Sequence, residues 1–281
     1  MSIRELLRVP HGDRFDLSSV DPRSTPGLPP GRDKRWARAR LAEVGTELDR
    51  YQEMLFASAK DGTERRRLLL VLQAMDCGGK DGTVEHVMGQ FNPQGVQITG
   101  FGPPSPQERR HDFLWRIRRA VPGPGFIGVF NRSQYEDVLV VRVHNLVPPD
   151  VWRGRYDEIN AFEKELADAG VTILKVMLHI SREEQLARLL ARLDDPGKHW
   201  KYNPGDVDER LLWTDYQAAY ADALGRCATE YAPWYVVPAD RKWYRDWAVS
   251  HLLRETMADM GLSYPEVRID VAAEKARLRR T

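Results

Sequence analysis

Apolar runs of about four to eight residues recur along the chain and predict the strands of a sheet. The first run is almost wholly apolar, which is typical of a strand with both faces covered by other elements. The predicted strands are Arg67–Ala74, Val96–Phe101, Phe126–Phe130, Val171–Leu178 and Trp234–Val237.

Between these runs, apolar residues recur every three or four positions, a spacing that places them on one face of a helix. The longest such segment is Asp33 to Lys60, with an apolar face formed by Leu41, Val44, Leu48, Tyr51 and Leu55. Ser181 begins another helix, which runs to Leu193, because Glu184 completes the capping-box pattern. The remaining predicted helices are Gly79–Phe91, Pro106–Ala120, Tyr156–Ala169, Asp206–Leu224 and Arg241–Met260.

Strands that alternate with helices predict an α/β fold, a parallel sheet covered by helices on both faces. Ligands bind such sheets at the carboxyl ends of the strands. Residues 1–33 are predicted to be an extended N-terminal arm, because Pro22 to Gly31 contains six prolines or glycines. We predict a single α/β domain over residues 34–265 and a C-terminal tail over residues 266–281.

Composition narrows the class of protein. Apolar residues make up 42% and charged residues 30% of the 281 positions, which excludes a disordered chain. A formal charge of +1 argues against binding to nucleic acid. Cys77 and Cys227 are the only cysteines, so no disulfide framework is expected. The chain lacks a signal peptide and an apolar run of the ~20 residues that span a bilayer, so we predict a cytoplasmic protein without a membrane partner.

A glycine-rich turn follows the first predicted strand and resembles a phosphate-binding loop. Its backbone N–H groups, together with the N-terminus of the next helix, would surround an anion, and Lys80 would reach the outer phosphates. An ordinary strand-to-helix turn is the alternative interpretation. The predicted phosphate or nucleotide contacts in this loop are Cys77, Gly78, Gly79, Asp81, Gly82 and Thr83.

This loop departs from the usual G-x-x-x-x-G-K-[ST] pattern at two positions. Ala74 replaces the first glycine, and Asp81 replaces the hydroxyl residue that binds magnesium. Asp76 adds a carboxylate inside the loop, which would repel a phosphate unless a cation lay between them. The loop therefore predicts a highly phosphorylated ligand that carries Mg²⁺, or Mn²⁺.

A second cluster of polar residues follows the strand that ends at Phe130. Arg132 can contact phosphate through two N–H groups, and Asn131 and Ser133 flank it. Glu136 and Asp137 are acidic beside an expected anion site and need a metal, a proton or a cationic partner. Ser133 and Glu136 also fit a helix cap, and the two interpretations are compatible.

The segment from residue 181 to 224 is predicted to be a helical lid. Prolines and glycines bound the tip, Asp194 to Gly205, and basic side chains lie within it. A solvated surface hairpin is the alternative.

Taken together, these segments resemble the family-2 polyphosphate kinases, which transfer phosphoryl groups between inorganic polyphosphate and nucleotides. The resemblance implies a P-loop kinase-like fold and covers residues from about 30 to 265. It rests on six segments: AMDCGGKDGT (74–83), FNPQG (91–95), FNRSQYED (130–137), RYDEINAFEK (155–164), RLDDPGKHWK (192–201) and APWYVVPADRKWY (232–244).

The resemblance implies roles for individual residues. Asp76 would organise the metal, Lys80 and Arg132 would bind phosphate, and Glu136 would act near the acceptor as an acid–base or phospho-accepting group. The expected lid contacts to polyphosphate are Arg188, Arg192, Lys198 and Lys201. Gln94 stands where diphosphate-preferring members have a basic residue, so one phosphate contact is expected to be absent.

The forms around Asn131 and Lys80 resemble the subgroup that accepts both AMP and ADP. The expected reaction is reversible, magnesium-dependent formation of ADP and ATP from AMP and ADP, by a homo-oligomer of two or four chains. Two alternatives remain open: an ATP-dependent nucleotide kinase on the same fold, and a non-catalytic nucleotide-binding protein. Against the first, the hydroxyl after Lys80 is missing; against the second, binding alone would not need Asp76.

Overall fold

The structure, a computed structural model, describes residues 1–60, 62, 64–266 and 269–281. Its strands are β1 (Arg67–Ala74), β2 (Val96–Gly100), β3 (Ile127–Asn131), β4 (Val171–His179) and β5 (Trp234–Pro238). Its α-helices are α1 (Ile3–Leu7), α2 (Lys34–Lys60), α3 (Lys80–His86), α4 (Trp115–Ala120), α5 (Val140–Val143), α6 (Pro149–Asp168), α7 (Arg182–Leu193), α8 (Gly205–Leu211), α9 (Trp213–Arg226), α10 (Lys242–Asp259) and α11 (Val271–Leu278).

The described strands form one parallel sheet in the order β2-β3-β1-β4-β5. At its centre, Leu70 of β1 lies between Val129 of β3 and Leu174 of β4. Because the strands are parallel, the loops after β1 and β3 meet at the same edge of the sheet. The predicted α/β fold is confirmed.

Alternate residues of β1 enter separate hydrophobic cores on the two faces of the sheet. Leu68, Leu70 and Leu72 pack in the core that includes α2 and α10. Leu69 and Val71 pack in the core that includes α6 and α9. Since both faces are buried, β1 reads as a continuous apolar run.

Three predicted helices are shorter or broken in the structure. The helix predicted over residues 79–91 ends at His86 and is followed by the 3-10 turn Met88–Gln90, which contains Gly89, a residue that disfavours an α-helix interior. The helix predicted over residues 106–120 is reduced to α4, because Asp112 accepts the backbone N–H of Leu114 and begins a later turn. The helix predicted over residues 206–224 is divided at Leu212 into α8 and α9.

The first 33 residues are only partly extended. Ile3 and Leu7 of α1 are buried, and the backbone N–H of Val9 donates to the oxygen of Trp234 at 2.9 Å. The N-terminal segment therefore covers the edge of β5, whose backbone groups would otherwise lack partners. In the predicted tail, residues 267 and 268 lie outside the described residues, and α11 follows them.

A fully buried ion pair supports the turn after β3. Lys175 Nζ donates to Glu163 Oε2 at 2.5 Å, to the hydroxyl of Tyr135 at 2.8 Å and to the oxygen of Cys227 at 2.7 Å. Glu163 also accepts a hydrogen bond from Gln134 at 2.9 Å. Because the buried charges are paired and bonded, the network fixes the 3-10 turn Gln134–Asp137.

Candidate active site

The turn between β1 and α3 contains two residues in the left-handed backbone region. Gly79 has φ +106° and Cys77 has φ +62°. A Cβ atom at Gly79 would overlap the guanidinium of Arg245, and one at Gly78 would overlap the Cβ of Ala74. Glycine is therefore required at both positions, and the loop closes tightly at the start of α3.

Lys80 lies at the first position of α3 and folds back over the loop. Its Nζ donates to the backbone oxygen of Ala74 at 2.9 Å. Burial lowers the pKa of Lys80, and neighbouring Arg132 lowers it further. A bound anion would favour the charged ammonium, so this position is suited to phosphate.

Arg132, at the end of β3, joins the two predicted clusters. Its guanidinium contacts Asp76 Oδ1 at 3.0 Å and Glu136 Oε2 at 3.3 Å. Burial alone would lower the pKa of Arg132, but Glu136 and Asp76 raise it. The structure thus brings together the four residues expected to be catalytic, on loops far apart in the sequence.

Other predicted residues line the rim of the site or lie behind it. Asn131 donates to Asp81 Oδ1 at 2.8 Å at the exposed rim. Ser133 is buried, and its hydroxyl lies 3.0 Å from the side-chain amide of Gln73. When the amide oxygen of Gln73 accepts from Ser133, the amide nitrogen donates to Glu136. Thr83 is also buried and donates to the backbone oxygen of Gly79 at 3.1 Å. In this arrangement, Ser133 and Thr83 support the loops from behind.

Arg188, predicted as a polyphosphate contact, is committed to other partners. Its side chain is 9% exposed and donates to the oxygens of Cys77 at 2.8 Å and Ala239 at 2.6 Å. It also pairs with Glu184 at 2.7 Å. The structure therefore places Arg188 against the loop backbone.

The other predicted lid residues lie in the last turn of α7 and in the 3-10 turn Pro196–Lys201 that follows it. Arg192 contacts the oxygen of Lys201 at 3.1 Å and Asp206 Oδ2 at 3.4 Å. Lys198 pairs with Asp195 at 2.6 Å, and the ammonium of Lys201 lies 5.0 Å from the ring of Trp200. The pair of Lys198 with Asp195 is exposed and the pair of Arg192 with Asp206 is partly buried, and both can be exchanged for contacts to a ligand.

Sequence reasoning missed three residues at this site. Asp206, predicted only as the first residue of a helix, has a pKa that burial and the charge of Asp76 raise, so this lid carboxylate lies close enough to the loop to interact with it. Arg245 packs against Gly79 and Gly82, and Gln185 donates to the oxygen of Asp76 at 3.0 Å. Nothing in the local sequence distinguishes them, except that Arg245 directly follows a segment of the family resemblance.

The carboxylate of Asp76 is the group in this site that would hold a magnesium ion. Within the residues described, no three His, Cys, Asp or Glu side chains form a metal-binding group. Magnesium usually retains several waters and is held by one or two carboxylates plus substrate phosphates. The half-buried carboxylate of Asp76 matches that need, because phosphates would complete the coordination.

None of the helices in the described ranges has the length and apolar character to cross a membrane. Cys77 and Cys227 are free thiols.

Comparison with known proteins supports one family. The sequence profile of polyphosphate kinase 2 (PPK2) matches residues 32–264. The AMP/ADP-polyphosphate phosphotransferase of Meiothermus ruber is 48% identical over 95% of this chain and 97% of its own length. The ADP-polyphosphate phosphotransferase of Rhodopseudomonas palustris is 40% identical over 92% of this chain and 91% of its own length.

Among solved structures, polyphosphate kinase 2 from Arthrobacter aurescens TC1 superposes with a TM-score of 0.95 at 50% identity, over 100% of this chain and 98% of that one. The parallel sheet with helices on both faces agrees with the P-loop kinase-like fold of these matches. The chain belongs to the polyphosphate kinase 2 family.

Proposed function

We propose that this enzyme transfers phosphoryl groups between inorganic polyphosphate and nucleotides, forming ADP from AMP and ATP from ADP. The observation on which this rests is Arg132, which links Asp76 of the phosphate loop to Glu136 after β3. This arrangement belongs to a chain related along nearly its whole length to polyphosphate phosphotransferases.

Phosphoryl transfer requires positioning and positive charge more than covalent chemistry from the protein. Lys80 and Arg132 would neutralise the charge on the transferred group, and the backbone of residues 77–79 would hold its neighbour. Asp76 would hold Mg²⁺, which when bound neutralises phosphate charge. Glu136 keeps Arg132 in place and supplies a carboxylate near the acceptor. Because these groups lie in the loop and turn that directly follow β1 and β3 and at the start of α3, and are already paired with one another, they require little rearrangement.

A basic groove beside the phosphate loop is the proposed path of the polyphosphate donor. The groove encloses about 510 Å³, and its acidic lining residues are Glu184, Asp240 and Asp246. Burial lowers the pKa of Lys242, and nearby Arg188, Arg245 and Lys198 lower it further, so positive charges crowd there. An anionic chain would relieve this repulsion. The basic lining residues are Lys34, Arg38, Arg241, Lys242 and Arg245.

We propose AMP and ADP as acceptors because the sequence around Asn131 and Lys80 resembles the dual-acceptor subgroup, and a relative carries that name. A donor held by charge alone can move along its groove by one phosphate. It can therefore meet acceptors that differ by one phosphate in length.

Chromatography of nucleotides after incubation with polyphosphate and Mg²⁺ tests this function. A reaction started from AMP should show ADP first and ATP afterwards. If AMP stays unchanged while ADP becomes ATP, the dual-acceptor assignment is wrong. Transfer only from ATP would indicate a nucleotide kinase, and binding without transfer would indicate a non-catalytic protein.

The cytoplasmic location and the homo-oligomer of two or four chains stay predictions. Fractionation of the source cells and light scattering of the purified protein would test them.

A further inference from the structure

Two side chains of lid helix α7 bind the backbone of the phosphate loop. Gln185 Nε2 donates to the oxygen of Asp76 at 3.0 Å, and Arg188 donates to the oxygen of Cys77 at 2.8 Å. Gln185 is 1% exposed, so its amide has no access to bulk water. The loop is therefore held by α7 at two consecutive carbonyl groups.

These bonds matter because an anion-binding loop uses its N–H groups for the ligand. Its carbonyl groups then need other partners, since an unsatisfied buried carbonyl is costly. Cys77 also has φ +62°, a left-handed conformation that a non-glycine residue keeps only when its surroundings hold it. Gln185 and Arg188 supply both the partners and the restraint.

Arg188 and Gln185 differ in the other hydrogen bonds that they make. Arg188 is tied to the end of the sheet through the oxygens of Ala239 and Asp240, at 2.6 and 3.2 Å. Gln185 is tied to the lid, because its Oε1 accepts from Arg210 of α8 at 3.0 Å. Both ends of the Gln185 amide are thus used, one by α8 and one by the loop.

We infer that Gln185 is a positioning residue that couples the placement of lid helix α8 to the backbone at Asp76. Helix α8 begins beside the lid tip and carries Asp206, the partner of Arg192. A ligand that draws Arg192 away from Asp206 changes the contacts of α8, and Arg210 and Gln185 transmit this change to Asp76. The lid thereby affects the loop that holds phosphate and metal. This inference rests on the proposed function.

A double-mutant cycle with Gln185→Leu and Arg210→Gln tests the coupling. Gln185→Leu should lower the kcat of ATP formation from ADP and polyphosphate by about tenfold to a hundredfold, since small misplacements at a reacting centre have effects of this size. Arg210→Gln should lower kcat in the wild-type background and have little further effect when residue 185 is Leu. Multiplicative losses would overturn the coupling, because independent sites are additive in free energy.

Glu209→Gln is the matched control on α8. It weakens the contact to His144, which lies 2.9 Å away, but leaves the Gln185 bonds intact. Its kcat should stay within about twofold of wild type, the scatter expected of non-interacting sites. A loss equal to that of Arg210→Gln would attribute the effect to general loosening of α8 and overturn the inference.

Calorimetric titration with Mg²⁺ and ADP gives a readout independent of turnover. Gln185→Leu should weaken this binding while thermal unfolding shows a folded protein, and unchanged binding with unchanged kcat would overturn the inference. If Gln185→Leu does not fold, the partly exposed Arg210→Gln still tests it against Glu209→Gln. Inactive wild-type protein would refute the proposed function. The titrations of wild type and Gln185→Leu with Mg²⁺ and ADP would then still show whether Gln185 affects binding at the loop.

Discussion

Asp76 shows how one residue combines several constraints at the active site. Its carboxylate pairs with Arg132 at 3.0 Å, and its backbone oxygen accepts from Gln185 at 3.0 Å. The side chain remains 28% exposed, so it is accessible to a cation from the open side. The need for a cation beside this carboxylate was predictable from its place in the loop. The two hydrogen bonds that orient the residue come from distant elements.

Replacing Asp76 with Asn should abolish most transfer and leave the fold intact. The amide lacks the charge that would hold Mg²⁺, so kcat should fall by more than about a thousandfold, which exceeds the loss caused by removing a single transition-state donor. Steady-state kinetics across Mg²⁺ concentrations, with thermal unfolding, measure both effects. Wild-type turnover with normal magnesium dependence would remove Asp76 from the mechanism. Asp168→Asn removes a surface carboxylate paired with Lys164 and serves as control.

Among the secondary-structure elements, the lid differs most from its prediction, because one predicted helix is two helices in the structure. Residues 206–224 read as one helix, because both halves share the apolar period. The structure divides them into α8 and α9, so that α8 contacts α7 while α9 stays in the core. The break lets the short α8 belong to the lid.

Arg192→Ala should weaken polyphosphate use much more than nucleotide binding. Arg192 is at the lid end of α7, and its present partner Asp206 can be exchanged for a phosphate. The KM for polyphosphate should rise, and more steeply with added salt in wild type than in the variant, because salt screens exposed charge pairs.

Kinetics at several salt concentrations, together with ADP titration, measure this difference. Lys164→Ala removes a surface charge near the end of α6, where it pairs with Asp168 rather than with any residue of the site, and should change neither quantity. Equal losses of donor and nucleotide affinity in Arg192→Ala would place this arginine elsewhere in the reaction.

At the scale of the whole molecule, buried histidines make stability depend on pH. Burial lowers the pKa of His179 and of His251 to about 4. Their unfolded values are ~6.5, so the unfolded chain binds more protons between these limits and stability falls as pH drops from ~6.5 to ~4. Asp137 acts oppositely: burial raises its pKa to about 6, which adds stability as pH falls through 6.

The net loss between pH 7 and pH 4 from these three groups is on the order of 3–4 kcal/mol. The free energy of unfolding, measured with urea across this pH range, should fall less steeply with decreasing pH for His251→Gln than for wild type. The exposed His11→Gln is the control and should keep the wild-type slope. Parallel curves for wild type and His251→Gln would show that His251 is not neutral in the folded protein.

The alternation of strands and helices and the glycine-rich turn after β1 could be predicted from the sequence, because strand and helix periods and turn chemistry depend on neighbours in the chain. The roles expected of individual residues came from the family resemblance, and their partners depend on contacts between distant elements. Arg188 reads like Arg192 on the same helix, yet packing turns one onto the loop backbone and leaves the other at the lid. The pairing of Asp76 with Arg132 and the Gln185 bond to α8 join residues far apart in sequence, so they form only when the sheet and the lid are assembled.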